Sequence, residues 1–215
     1  MKLKINHLLI GIFFMSSVLL LSVTFPPKKL NIENFIKFYQ NNLSSFEKNE
    51  TTGSLNTKIQ FIPTDFTTIK LLNEDIELAK EFQKETNHPL SFRIQLTIPE
   101  IGLKEFLQFE SDTLSFEERV AYYSFNYKND ILYQWDNEII KPIVDFHFER
   151  LFNISPSGNF NITIPKPTKK AKRLRIMVKD RIYDNSVNSF EFEMKKIKNI
   201  PTLESIEKLN NKTSK

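Results

Sequence analysis

The chain has 215 residues, enough for one ordinary domain with a leader or anchor and short for two full domains. Hydrophobic residues make up 40% and include 20 phenylalanines, so bulky apolar surface can offset the entropy lost on folding, while the lack of cysteine excludes disulfides, thiolate metal ligands, cysteine nucleophiles and a lipid-bearing cysteine. The formal net charge is +4, and setting aside residues 1–25 leaves 28 basic against 26 acidic side chains, a balance from which no nucleic-acid partner is expected.

Residues 8–25, LLIGIFFMSSVLLLSVTF, are uncharged and apolar, preceded by Lys2 and Lys4 and followed by Pro26-Pro27-Lys28-Lys29. At about 1.5 Å per residue such a helix reaches roughly 27 Å, the thickness of a hydrocarbon core, whereas a signal peptide's apolar stretch is shorter. Residues 1–25 therefore read as a signal-anchor, with the large domain on the non-cytoplasmic side. The alternative is a signal peptide cleaved near Thr24, where Ser22 and Thr24 supply small residues at the exit.

Residues 26–54 are rich in Asn, Ser, Thr, Glu and Lys and read as a polar spacer holding one short helix around Phe35, Ile36, Phe38 and Tyr39. A strand is predicted at Lys58–Ile62, ended by Pro63. Phe66, Ile69, Leu72, Ile76, Ala79 and Phe82 recur at three- and four-residue steps, which predicts one long amphipathic helix over 66–85, capped by Thr64 or Asp65. Leu90–Ile98 alternates apolar and polar residues without a fault, the pattern of a half-buried strand.

A helix over 115–125 is entered at Ser115, with Glu117 and Glu118 in its first turn. Strands follow at Ile131–Trp135, Ile143–Phe148, Phe160–Ile164, Leu174–Val178 and Ser189–Met194, with Asp136-Asn137 and Lys179-Asp180 as turn signals. Their short connections favour antiparallel pairing. The predicted fold is α+β: a mainly antiparallel β-sheet or sandwich over 55–197 with one long amphipathic helix and an N-terminal membrane or export helix. Residues 198–215 turn polar and lysine-rich and are expected to form a mobile tail.

Few patterns carry chemistry. In a strand, Asp145, His147 and Glu149 of the DFHFER stretch point one way and Val144, Phe146 and Phe148 the other. Alternate residues on one face lie about 6.5–7 Å apart, so catalysis or metal binding by the trio needs a further group from another strand. Lys166, Lys169, Lys170, Lys172, Arg173 and Arg175 are the densest charge cluster and form a possible surface for acidic lipid or polysaccharide. Tyr122, Tyr123, Phe125, Tyr127, Tyr133 and Trp135 form an aromatic block, either core or a platform for a carbohydrate or peptide.

The four glycines are too dispersed for a phosphate-cradling loop, and no serine-hydrolase elbow or zinc-protease helix occurs, so no cofactor or metal is expected. Asn42, Asn49, Asn153, Asn161 and Asn211 head Asn-x-Ser/Thr triplets, which matter only in a host that glycosylates exported proteins.

Ser124–Ile131 and Phe146–Pro156, together with Thr52-Gly53-Ser54, Lys58–Pro63 and Asn199-Ile200-Pro201, resemble small cell-envelope proteins, often lipoproteins, of flavobacterial-type Bacteroidetes. The resemblance spans residues 50–202 and implies envelope location, with a structural role for Phe146, Phe148 and Arg150; it implies no activity. Lipoprotein relatives carry a cysteine after the apolar segment, and this chain departs from that pattern. The expectation is a non-enzymatic envelope protein, tied to the membrane through residues 8–25 and serving assembly or interaction with an envelope protein or glycan. A carbohydrate- or peptide-binding module is the runner-up, and a hydrolase or metal site on the Asp145/His147/Glu149 face the third reading.

Overall fold

A computed structural model describes residues 28–99, 106–108, 114–150, 155–183 and 185–208; the apolar segment 8–25 and the extreme C-terminus lie outside them. Strand β1 (Lys29–Leu30) leads into helix α1 (Ile32–Asn41) and the short α2 (Leu43–Phe46). Strands β2 (Glu47–Thr52) and β3 (Leu55–Ile62) then form a hairpin around Gly53. The positive φ of Gly53, 57°, is backbone that glycine adopts without a side-chain clash.

The five-stranded sheet has the order β2-β3-β4-β8-β7, with β4 at Leu90–Thr97, β7 at Asp145–Glu149 and β8 at Ser157–Ile164. The four-stranded sheet has the order β10-β9-β5-β6, with β5 at Ile131–Trp135, β6 at Lys141–Pro142, β9 at Arg173–Lys179 and β10 at Val187–Glu193. All pairings in both sheets are antiparallel. The chain is thus α+β and mainly antiparallel, as the alternation predicts.

Alternation also decides where the core sits. Leu55, Thr57, Ile59 and Phe61 of β3 are buried, as are Phe92, Ile94 and Leu96 of β4 and Leu174, Ile176 and Val178 of β9, while their neighbours along each strand are more exposed. Each sheet hides one face, and the two share a single core. Phe92 of β4 meets Phe192 of β10 with ring centroids 5.1 Å apart. Gly158 lets the Phe106 ring lie over β8: a Cβ there would stand 2.9 Å from Phe106 Cδ1.

The long helix is not one helix. Asp75, with φ −152° and ψ 109°, separates α3 (Asp65–Glu74) from α4 (Ile76–Lys84). Its carboxylate accepts from the amides of Glu77 and Leu78 at 2.9 and 3.0 Å, satisfying two donors that a helix start leaves free. An Asp at the break thus caps a new helix instead of continuing the old one. Ile76 and Leu78 consequently stay exposed, and Ile76 leaves the predicted core stripe.

Helix α5 (Phe116–Ala121) begins where expected, with a capping box between Ser115 and Glu118. It runs into a π-helical turn, Tyr122–Asn126, and a 3-10 turn, Tyr127–Asp130. Met194 opens helix α6 (Met194–Lys198) instead of closing the last long strand.

The ends of the chain pack more than their composition suggests. Within the stretch read as a polar spacer, Phe35 and Tyr39 of α1 and Phe46 are buried, and the Tyr39 ring lies edge-on to Phe66 of α3 at 4.9 Å. Within the stretch read as a mobile tail, Ile200, Leu203 and Ile206 are buried. Strand β11 (Thr202–Leu203) pairs in parallel with β1. Among the described residues no helix is long and apolar enough to cross a membrane.

Candidate functional site: a lysine-lined cleft

Three features singled out in the sequence occupy different places. Asp145, His147 and Glu149 do share one side of β7, an edge strand that among the described residues pairs with β8 alone. Asp145 and His147 are exposed and line neither the lysine-lined cleft nor the small hollow between Phe106, Phe148 and Gly158. Glu149 accepts from Asn161 Nδ2 and lies 3.4 Å from Arg93 Nη2, contacts that tie three strands together. Among the described residues no group of three His, Asp or Glu side chains could hold a metal ion. The inner side of β7 stacks Phe148 on Phe160 at 4.8 Å.

The aromatic block is mostly core. Tyr123, Tyr127, Tyr133 and Trp135 are at most 4% exposed, whereas Phe125 is 71% exposed. Tyr123 donates to Asp180 Oδ2 at 2.6 Å, and Asp180 Oδ1 accepts from the amides of Ile182 and Tyr183. Alongside, Asp130 takes the Tyr122 hydroxyl and the Arg181 guanidinium. Burial, reinforced by Asp180, pushes the Tyr123 hydroxyl well above the ordinary tyrosine range, so it stays a protonated donor. Sequence reading treats Asp180 as a turn residue; its role as the base of a buried clamp depends on a partner 57 positions away.

The basic cluster divides. Lys172 and Arg173 donate their amides to Asp136, whose φ of 44° marks the turn after β5; these two bonds hold its carboxyl below the usual carboxylate range. The guanidinium groups of Arg173 and Arg175 reach Glu191 on β10 at 3.5 and 3.8 Å. Lys166, Lys169 and Lys170 turn instead to a cleft of about 920 Å³, near the upper end of the range usual for small-molecule sites.

The cleft lies where β3 ends, β4 begins, and β8 and β10 end, neighbouring strand ends at one end of the sheets. Its base is apolar, from Phe61, Pro63, Leu90, Met194, Ile197 and Leu203. Cations come from four separate segments: Lys29 from β1, Lys80 and Lys84 from α4, Lys166, Lys169 and Lys170 from the loop after β8, and Lys198 from α6. Against them stand three carboxylates, Asp65, Glu85 and Glu207. Lys80 pairs with Glu77, and Lys166 Nζ donates to the Thr86 carbonyl at 2.8 Å. Lys29, Lys84, Lys169, Lys170 and Lys198 have no carboxylate partner among the described residues.

The walls are fixed by polar bonds. Asp65 Oδ1 accepts from the Leu203 amide at 2.9 Å. Gln83 bridges the C-terminal segment twice, donating to the Glu204 carbonyl at 3.0 Å and accepting from the Ile206 amide at 3.1 Å. Burial raises the Asp65 carboxyl above its ordinary value, opposed by the Leu203 amide. His88 stacks on Phe82 and directs Nε2 at the Phe82 carbonyl, 2.8 Å away. A carbonyl can only accept, so Nε2 carries the proton and the ring closes the exit of α4.

Lys166, Lys169 and Lys170 are legible in the sequence as a cationic run. Lys29, Lys80, Lys84 and Lys198 carry no local signal, since each is an ordinary surface lysine until the fold gathers it. Comparison with protein-family models, with curated proteins and with solved structures returned no match.

Proposed function

We propose that the protein is a membrane-anchored or exported cell-envelope protein whose α+β domain works without catalysis, by holding an anionic ligand in the lysine-lined cleft. One observation carries the reading: five lysines without carboxylate partners, from β1, α4, the loop after β8 and α6, converge on one preformed hollow with an apolar base. The five side chains are exposed, so solvent screens their mutual repulsion, but like charges gathered around one hollow focus a positive potential that favours an anionic ligand. The apolar run at 8–25 and the resemblance to envelope proteins support the location. The runner-up, a carbohydrate or peptide platform on the aromatic block, has less to rest on, because four of its six rings are buried. The Asp145/His147/Glu149 reading has less to rest on, because Asp145 and His147 are exposed on an edge strand.

The test is a titration of the full chain, in non-ionic detergent, with fluorescent inorganic polyphosphate of fixed length. Saturable binding that weakens with salt is expected. Lys169→Gln with Lys170→Gln should weaken it about thirtyfold, about 1 kcal/mol being lost per lysine. Arg173→Gln with Arg175→Gln removes the same charge elsewhere and should leave binding near its original strength. Equal loss in the two pairs, or no saturable binding at all, would sink the cleft as an anion site.

A further inference from the structure

The ligand of this cleft is narrowed by where the chain enters the domain, an argument that rests on the anion-binding reading above. The apolar run ends at Phe25, and Lys29, four residues later, already lines the cleft. At no more than about 3.6 Å per residue, the cleft wall stands within roughly 14 Å of the end of that run. The connection is fixed on the domain side. The Thr202 amide donates to the Lys28 carbonyl at 3.1 Å and the Glu204 amide to the Leu30 carbonyl at 2.8 Å, so β1 and β11 form one wall of the hollow. With residues 8–25 in a bilayer, the Lys29 wall of the cleft is held within one to two Debye lengths, about 8–10 Å each, of the headgroups.

The chemistry of the lining points the same way. A purely hydrophilic polyanion would use the lysines and leave the half-buried Phe82, Pro167 and Ile197 of the lining uncovered; a ligand with charge at one end and hydrocarbon at the other satisfies both. We propose that the cleft takes an anionic phospholipid from the bilayer that holds the anchor, its phosphate among Lys84, Lys169 and Lys170 and part of an acyl chain against the apolar base. The anchor makes capture local: the lipid is supplied at the surface concentration of the membrane and does not have to be drawn from solution. The domain would thereby be pulled down onto an acidic membrane, with the β1/β11 end facing the lipid.

Hydrogen exchange on the full chain in lipid nanodiscs tests this. Discs of phosphatidylcholine are compared with discs containing increasing phosphatidylglycerol, and the amides of Leu203, Ile206 and residues 84–88 are followed. Protection at these amides is expected to rise with phosphatidylglycerol. In Lys169→Gln with Lys170→Gln, the half-maximal mole fraction should rise about thirtyfold, while Arg173→Gln with Arg175→Gln stays near the original. Glycerophosphoglycerol, the headgroup without chains, is added to the phosphatidylcholine discs as a separate arm and should protect far less. Equal protection in both kinds of disc overturns the proposal, and so does full protection by the free headgroup. If either occurs while polyphosphate still binds the original chain and not the lysine pair variant, the lipid is wrong and the anion site stands.

Discussion

Phe35→Ala decides whether residues 28–54 belong to the folded domain or merely lead into it. The side chain is 0% exposed, and its ring lies 5.3 Å from that of Phe66 at the start of α3. Truncation removes a ring from the shared core, where collapse is limited. Buried phenylalanine-to-alanine changes cost about 3–5 kcal/mol, from lost transfer free energy and the cavity left behind. For a domain of this size 1 kcal/mol moves the melting temperature by about 2–4 °C, so a drop of roughly 6–20 °C is expected. Circular dichroism melting of the full chain in detergent measures it, with the exposed Glu33→Ala as a control expected within about 0.5 kcal/mol of the original. A Phe35→Ala shift no larger than the control's refutes the packing described for α1 and restores the spacer.

Two further substitutions probe the elements that build the cleft. Asp75→Ala removes the side-chain acceptor of two amides at the α3/α4 break and should cost about 1 kcal/mol; unchanged stability in a denaturant titration would mean that the cap does not hold the break. Asp65 has a folded pKa raised above its ordinary 3.8 by burial, so its contribution is fully present below that value and is lost as pH rises through the folded pKa. Asp65→Asn keeps an oxygen for the Leu203 amide and removes the charge. It should flatten the decline in stability over the pH range just above 3.8 and stabilise the domain at neutral pH; melting curves with the same pH slope as the original chain would contradict this.

Local pattern was readable wherever one face of an element is buried. The nine-residue alternation at Leu90–Ile98 appears as β4 at Leu90–Thr97, and Ile131–Trp135 as β5, because period-2 burial leaves a mark on every second residue. The helix over 66–85 was read as continuous because Leu72 and Ile76 keep helical spacing across Asp75. Spacing does not reveal that a carboxylate there caps a second helix, since Asp is equally acceptable on a helix's wet face. DFHFER was readable as a strand with phenylalanines inward, but periodicity does not say whether its charged side meets a neighbour or open solvent.

Composition misleads at the two ends for a related reason. A few buried rings, Phe35, Tyr39 and Phe46, anchor a segment that is otherwise Asn, Ser, Glu and Lys, and averaging over the window hides them. Residues 198–208 likewise hold Ile200, Leu203 and Ile206 in an apparent tail, and the segment is tied to distant partners, β1 more than 170 positions earlier and Gln83 on α4.

From the sequence alone follow the absence of thiol chemistry, the apolar segment at 8–25, the mainly antiparallel α+β class and the inward faces of most strands; all are properties of composition or of residues a few positions apart. The tertiary structure decided the rest. It split the cationic run into three lysines on a cleft and three residues drawn to Asp136 and Glu191. It then brought Lys29, Lys80, Lys84 and Lys198 to the same hollow. A binding site of this kind is a sum of long-range proximities, and proximity between distant residues is set by how the sheets pair and pack, which no local pattern encodes.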